Sequence, residues 1–177
     1  TEAVVTHSKA ELEKADSIIL PGVGAFRDAA EKLKCSGLEE TVISLAKDGK
    51  PLMGICLGMQ LLFEKSYEYG VCDGLGLIKG EIKPIADVIP KEYKIPHIGW
   101  NSLEMKKASP IFENVKDGEY VYFVHSYYAA DCDASVTAVS DYGAKLTAAV
   151  QSGNIFGCQF HPEKSGETGL NILRSFV

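Results

Sequence analysis

The segment with the most evident chemical potential is Gly54-Ile55-Cys56-Leu57-Gly58, which places a cysteine between two glycines. Apolar residues before it predict a buried strand and those after it predict a helix, so Cys56 falls at a sharp strand-to-helix turn. Such a turn lifts a nucleophile above a sheet and tolerates only small residues two positions away on either side. We expect the helix N-terminus to lower the pKa of the thiol and to offer N–H groups to an oxyanion. A buried, unreactive cysteine at a strand end is the alternative.

A nucleophilic thiol needs a base, and the base needs a group that orients it. Among the four histidines, His161 is followed directly by Pro162 and Glu163. The proline fixes the backbone, so the Glu163 carboxylate can reach back to an imidazole nitrogen. Glu163 would then hold the tautomer while His161 deprotonates Cys56. Taken alone, the segment is more typical of a surface turn, and only its combination with Cys56 favours a catalytic role.

A second glycine-containing turn, Pro21-Gly22-Val23-Gly24, also follows a buried strand and precedes a helix. A dinucleotide-binding loop would need a third glycine at the position that Arg27 occupies. A strand that stabilises an oxyanion needs glycine so that a backbone N–H can face the substrate, and this interpretation fits Cys56 better. A tight turn without any chemistry is the third alternative.

The elements that must position these residues follow from hydrophobic periodicity and turn signals. Strands are predicted over residues 3–6, 17–20, 51–55, 75–82, 95–103, 119–129, 135–140 and 145–160. Helices are predicted from Ser8, which begins a capping box, and over residues 26–33, 38–45, 57–65 and 168–177. Strands and helices alternate in the first half, which indicates parallel α/β structure. We therefore predict one domain over residues 1–177, an α/β fold whose mixed, mostly parallel sheet is flanked by helices.

Composition excludes several functional classes. Acidic residues outnumber basic ones by 24 to 18, giving a net charge of −6, whereas a nucleic-acid binder needs a basic face. No apolar run approaches the ~20 residues of a membrane span. The five cysteines are scattered without C-x-x-C pairs, which argues against a disulfide framework or a zinc site and indicates a reducing cytosol. We expect no nucleic acid, no membrane and no metal.

Two segments combine aromatic residues with histidine: Pro96-His97-Ile98-Gly99-Trp100-Asn101, and Tyr122-Phe123-Val124-His125-Ser126-Tyr127-Tyr128. Polar tips on aromatic strands can line a ligand pocket or a subunit interface. They can also be hydrogen-bonded residues of the core. The sequence favours the core for His125 and leaves His97 open between the two.

The chain resembles the class I (triad) glutamine amidotransferases. The resemblance rests on Gly54–Gly58 followed by Met59-Gln60, and on His161-Pro162-Glu163 far downstream. It implies a flavodoxin-like, mixed seven-stranded sheet and hydrolysis of glutamine through a cysteine thioester, with ammonia passed to a synthase. The Pro21–Phe26, Pro96–Asn101, Tyr122–Tyr128 and His161–Ser165 segments are similar to those of the glutaminase subunits of imidazole glycerol phosphate synthases.

The resemblance also implies roles for individual residues. Cys56 would be the nucleophile, His161 the general base and acid, and Glu163 the orienting carboxylate. The N–H of Leu57 and the Gly22-Val23 peptide would form the oxyanion hole. Contacts to glutamine would come from Gln60, Glu68, Ser126 and Tyr127. Residues at or near the interface with a (β/α)8 cyclase subunit would be Tyr128, Lys164, Pro96, His97 and Trp100.

The resemblance further implies a cytoplasmic heterodimer with that cyclase in histidine biosynthesis, acting on L-glutamine and needing no cofactor. The family usually begins with a strand and a helix that have no counterpart here, so the chain is expected to lack that first unit. Three alternatives are another amidotransferase's glutaminase, a partner-independent cysteine hydrolase or peptidase, and a non-catalytic interaction protein on the same fold.

Overall fold

The computed structural model describes residues 2–177. Within that range the α-helices are α1 Lys9–Lys14, α2 Phe26–Cys35, α3 Glu39–Lys47, α4 Leu57–Leu61 and α5 Gly166–Phe176, and short 3-10 helices span Ile85–Asp87, Pro110–Phe112 and Pro162–Lys164. The first six strands are β1 Ile18–Gly22, β2 Leu52–Cys56, β3 Phe63–Ser66, β4 Cys72–Asp73, β5 Ile78–Pro84 and β6 His97–Ser102. The others are β7 Glu104–Met105, β8 Tyr120–His125, β9 Tyr127–Ala130, β10 Val136–Asp141, β11 Lys145–Ser152 and β12 Ile155–Cys158.

The largest sheet has the strand order β1-β2-β12-β11-β10-β7. Strand β2 pairs in parallel with both β1 and β12, whereas the pairs from β12 to β7 are antiparallel. The mixed α/β fold is therefore confirmed, with six strands in this sheet among residues 2–177 where the resemblance implies seven. Since β1, β2 and β12 run parallel, their carboxyl ends meet at one edge of the sheet, which is where open α/β sheets place ligands.

Two smaller sheets accompany the large one, with the orders β4-β3-β5-β9 and β6-β8. One hydrophobic core contains the buried faces of α2, α3 and α4, and its members include Phe26, Val42 and Met59. A second core packs α5 against β8, through residues such as Phe123 and Ile172. Helices and strands thus cover both faces of the large sheet. None of the helices within residues 2–177 combines the length and apolarity needed to cross a membrane.

The predictions for the first half of the chain are confirmed for β1, β2, α2 and α3, and the final helix is confirmed as α5. The strand predicted over residues 3–6 is wrong. No strand of the described residues pairs with this segment, and Val5 is 98% exposed, so the hydrogen bonds that define a strand are missing. Helix α1 forms as predicted after Ser8, but the Ser8 side chain makes no capping hydrogen bond.

The helix predicted over residues 57–65 is too long. Helix α4 ends at Leu61, and Phe63 begins β3, which pairs in parallel with β5. The Leu62 carbonyl accepts hydrogen bonds from the N–H groups of Leu77 and Ile78, so long-range pairing overrides local helical composition. Two predicted long strands are each divided, the first at Ser126 between β8 and β9 and the second at Gly153-Asn154 between β11 and β12.

Candidate active site

Cys56 lies at a strained turn between β2 and α4. All five residues of β2 are buried, and Cys56 itself has φ 53° and ψ −111°, which is a positive φ at a residue with a side chain. Such backbone strain costs of order 1–3 kcal/mol and is concentrated at functional sites. The predicted strand-to-helix turn around the cysteine is therefore present, with the conformation that a nucleophile elbow requires.

The two glycines of this turn are required by close backbone contacts. A Cβ at Gly58 would lie 1.8 Å from the carbonyl oxygen of Leu20, which belongs to β1. A Cβ at Gly54 would lie 2.6 Å from the Met59 backbone nitrogen. Because backbone atoms cannot move aside as a side chain can, the first turn of α4 packs directly onto the ends of β1 and β2. This packing fixes the direction in which Cys56 projects.

His161 follows β12 and is held on several sides. Its Nδ1 lies 2.7 Å from Oε1 of Glu163, and its backbone N–H donates to the Tyr122 carbonyl at 2.9 Å. The Ser165 hydroxyl donates to the His161 carbonyl at 2.6 Å. A carboxylate accepts only, so Nδ1 carries a proton, and in the neutral ring Nε2 then carries the lone pair. Nε2 is buried and has no hydrogen-bond partner among the described residues.

Cys56 and His161 line the same pocket of about 370 Å³ at the carboxyl edge of the sheet. The pocket is lined by Val23, Gly24, Cys56, Leu57, Gln60, Glu68, Pro96, Val124, His125, Ser126, Tyr127 and His161. The structure thus gathers eight of the ten residues singled out from the sequence for catalysis, oxyanion binding and substrate binding. The other two lie beside the pocket, Glu163 behind His161 and Gly22 against Leu57, whose Cβ is 3.1 Å from the position of a Gly22 Cβ.

The electrostatics of the thiol differ from the expectation. Burial raises the pKa of Cys56 to about 11, although a hydrogen bond from the Leu57 backbone N–H acts in the opposite direction. The prediction that the helix N-terminus gives the thiol a lowered pKa is therefore wrong, because the net effect is a raised pKa. Helix α4 has only five residues, and the loss of water around the sulfur outweighs its effect. The thiol is protonated at neutral pH and needs a base at the moment it reacts.

The residues assigned to the substrate are tied to the framework around the pocket. The Glu68 carboxylate accepts a hydrogen bond from the Phe26 N–H at 2.6 Å through Oε2. The Gln60 amide donates to the Tyr127 carbonyl at 3.3 Å and to Oε1 of Gln159 at 3.0 Å. No cluster of three or more His, Cys, Asp or Glu side chains able to hold a metal occurs within residues 2–177.

Comparison with known proteins gives the family. The model of the family described as Glutamine amidotransferase class-I matches residues 2–177. The chain belongs to the class I glutamine amidotransferases. This membership confirms the resemblance drawn from Gly54–Gly58 and His161–Glu163.

Relatives of this class I amidotransferase chain include two proteins named as subunit HisH of imidazole glycerol phosphate synthase. The one from Oceanobacillus iheyensis is 50% identical over 175 residues, covering 98% of this chain and 85% of the relative. The one from Caldanaerobacter subterraneus subsp. tengcongensis is 49% identical over 176 residues, covering 99% of this chain and 85% of the relative. A crystal structure of a glutamine amidotransferase superposes with a TM-score of 0.74 at 20% identity, covering 99% of this chain and 86% of that one, and so supports the fold.

Sequence reasoning does not find the full roles of His125 and Gln159. The prediction of a hydrogen-bonded core position for His125 is confirmed, since it is 6% exposed, but His125 also lines the pocket. Gln159 is fully buried behind the pocket, where its Nε2 lies 3.8 Å from the Cys56 sulfur. Gln159 precedes the Phe160-His161 pair, and that adjacency was the only available signal. His97 was placed at or near a subunit interface, but it is 2% exposed and therefore lies beneath the surface.

Proposed function

We propose that this chain is the glutaminase subunit of an imidazole glycerol phosphate synthase, with Cys56, His161 and Glu163 as its catalytic triad. One observation carries the proposal. Cys56 stands at a strained elbow in the same pocket as His161, whose Nε2 has a lone pair while Nδ1 is held by Glu163. A thiol, a correctly oriented base and an orienting carboxylate are the components of nucleophilic acyl transfer.

The chemistry begins with a neutral thiol. Because burial holds the pKa of Cys56 near 11, His161 Nε2 accepts the proton as the sulfur attacks the side-chain amide carbon of glutamine. The Leu57 N–H and the Gly22-Val23 peptide stabilise the resulting oxyanion. His161 then returns the proton to the amide nitrogen, ammonia departs and a thioester remains. Water attacks the thioester, His161 takes its proton, and glutamate leaves as Cys56 regains its hydrogen.

The amino-acid end of glutamine binds on the opposite wall of the pocket. One oxygen of the Glu68 carboxylate is held by the Phe26 N–H, which leaves the other oxygen to accept the substrate ammonium. Gln60 and the backbone of Ser126 and Tyr127 contact the remaining polar groups. All four residues line the pocket that contains Cys56. Binding at two ends places the amide over the sulfur, which supplies the orientation that acyl transfer needs.

The proposed partner is the cyclase subunit, a (β/α)8 barrel that receives the ammonia in a cytoplasmic heterodimer of histidine biosynthesis. The two relatives are named as subunits of that synthase. On this chain, β6 and β8 present an outward face that carries exposed Ile98, Trp100 and Tyr120. An apolar face with aromatic side chains is typical of a subunit interface. Lys164, directly after Glu163, is the proposed charged contact near this face.

The test is glutamate release from glutamine by this chain, with and without a cyclase subunit and its nucleotide ligand. We expect turnover that rises strongly with the liganded partner and disappears in Cys56→Ala. Cys35→Ala is the control, because Cys35 is an exposed thiol outside the pocket and should retain full activity. Turnover that is equal with and without the liganded partner would indicate a stand-alone thiol hydrolase. Normal turnover in Cys56→Ala would overturn the mechanism.

A further inference from the structure

Two buried histidines form a hydrogen-bonded pair beside the pocket. His97 on β6 lies opposite His125 on β8, and its Nδ1 is 2.9 Å from Nε2 of His125. Nδ1 of His125 lies 2.8 Å from the Tyr127 carbonyl oxygen, and the Asn101 amide nitrogen lies 3.3 Å from Nε2 of His97. The four groups make one continuous chain of hydrogen bonds that ends on the backbone of the pocket.

The direction of each hydrogen bond in this chain is determined by its two ends. Asn101 Nδ2 can only donate, and its orientation is fixed because it also donates to the Asp141 carbonyl while Oδ1 accepts from the Ser102 N–H. His97 Nε2 must therefore accept, so its proton is on Nδ1 and is donated to His125 Nε2. The His125 proton is then on Nδ1, and the Tyr127 carbonyl accepts it. Each neutral ring is thus held in a single tautomer.

The pair remains neutral and rigid. His97 and His125 are 2% and 6% exposed, and burial lowers the pKa of each to about 4. The His97 ring stacks between Phe123 and Tyr142, with ring centroids 4.7 Å and 4.1 Å away. By contrast, His161 Nε2 has no hydrogen-bond partner among residues 2–177. The pair therefore has the properties of a structural support and not those of a general base.

The carbonyl at the end of this chain is shared with the pocket. The Tyr127 oxygen accepts from His125 Nδ1 and also from the Gln60 amide, which donates in turn to Gln159. We propose that the His97–His125 pair is a positioning element of the glutamine site, holding the Tyr127 carbonyl and through it the Gln60 side chain in the orientation that receives the amino-acid end of the substrate. The inference rests on the proposed function, since it assigns Gln60 and Tyr127 to glutamine.

The experiment measures glutamate release in the complex with the cyclase subunit and its nucleotide. His125→Phe removes the donor to Tyr127, and we expect the glutamine KM to rise about 10- to 100-fold with kcat within threefold. His125→Asn keeps an amide donor in the place of Nδ1 and should recover most of the affinity. His97→Phe keeps the ring stack but leaves His125 Nε2 without a donor, so its KM should lie between those of the wild type and His125→Phe.

The matched control is Tyr142→Phe. It preserves the ring against His97 and removes only the hydroxyl that donates to the Lys94 carbonyl at 3.0 Å, so the KM should stay unchanged. A second readout separates positioning from general disruption. Alkylation of Cys56 by 6-diazo-5-oxo-L-norleucine, which carries an amino-acid end, should slow about tenfold in His125→Phe. Alkylation by iodoacetamide, which has no such end, should change less than twofold.

Three outcomes separate a failure of the positioning role from a failure of the proposed function. A His125→Phe variant that lowers kcat without raising KM, or slows both reagents equally, overturns the positioning role. If circular dichroism shows that His125→Phe does not fold, the KM values of wild type, His125→Asn and His97→Phe test the positioning role instead. Equal KM values in these three proteins would overturn it. A wild-type complex that reacts with iodoacetamide but neither turns over glutamine nor reacts with the diazo reagent would refute the proposed function itself, and the positioning role with it.

Discussion

At the scale of single residues, the proposed reaction depends on where the proton of His161 lies. The 2.7 Å contact to Glu163 places it on Nδ1 and leaves Nε2 as the acceptor in the pocket. The sequence predicted this pair because Glu163 lies only two positions after His161, with a single proline between them. It could not predict the state of the thiol, because burial of Cys56 depends on Val124 and Gln159, which are distant in the chain.

We predict that Glu163→Ala lowers kcat for glutamine hydrolysis by about 10²- to 10⁴-fold, because His161 loses the acceptor that fixes its tautomer. Glu163→Gln should retain more activity, since its amide oxygen can still accept from Nδ1. The KM should stay within threefold, as Glu163 does not line the pocket. Steady-state assays with the cyclase partner measure both constants. Glu167→Gln, at a surface ion pair with Arg174, is the control. Equal kcat in Glu163→Ala and Glu167→Gln would contradict the assignment.

The raised thiol pKa gives a prediction for pH dependence. A folded-state pKa near 11 leaves Cys56 protonated at pH 7, and the thiolate fraction grows tenfold per pH unit until the pH approaches that value. Carbamidomethylation of Cys56 by iodoacetamide in the free chain should therefore accelerate about tenfold per unit from pH 7 to pH 9, without a plateau. Peptide mass spectrometry measures the rate, with exposed Cys35 as the internal reference. A plateau below pH 8 would show a preformed thiolate instead.

At the scale of elements, the site depends on the packing of a very short helix. Helix α4 has five residues, all buried, and follows directly from β2. Glycine spacing predicted the elbow, because only glycines permit this approach of backbone to backbone. The end of α4 at Leu61 was not predictable from local composition, because it depends on pairing between β3 and β5, whose paired residues are more than ten positions apart. The inner face of β8, including His125, likewise becomes part of the pocket only through tertiary contacts.

We predict that Gly58→Ala lowers the free energy of unfolding by more than about 3 kcal/mol, since its Cβ would overlap the Leu20 carbonyl. Gly76→Ala is the matched control. Gly76 has φ 61° with open space around it, so this substitution should cost only the ~1–2 kcal/mol of a left-handed backbone. Urea unfolding followed by circular dichroism measures both. Equal losses of unfolding free energy in the two variants would show that β1 can shift to make room for a Cβ at position 58.

At the scale of the whole molecule, strands β6 and β8 have two different faces. The inner face carries His97, Phe123 and His125 beside the pocket that contains Cys56, and the outer face carries Ile98, Trp100 and Tyr120. Alternation along each strand follows from the sequence, but the pairing of β6 with β8 and its register do not, because the paired residues are 18 to 28 positions apart in the chain. One two-stranded unit thus lies between the proposed partner surface and the proposed substrate site.

The outer face of β6 and β8 leads to a prediction about assembly. Trp100 is 56% exposed and packs edge-on against Tyr122, at 6.1 Å between ring centroids. An aromatic side chain at the centre of an apolar face is a typical binding hot spot, so Trp100→Ala should weaken binding to the cyclase subunit about 30-fold or more while Tm stays nearly unchanged. Isothermal titration calorimetry measures the affinity. Ile19→Ala, an exposed apolar truncation on β1, which is an edge strand of the large sheet and pairs with neither β6 nor β8, should leave the affinity unaltered. Trp100→Ala removes contacts with the partner and none with glutamine. Glutamate release by this variant at saturating cyclase should therefore recover to the wild-type rate. If Ile19→Ala weakens binding and Trp100→Ala does not, the docking surface lies at β1 and not on β6 and β8.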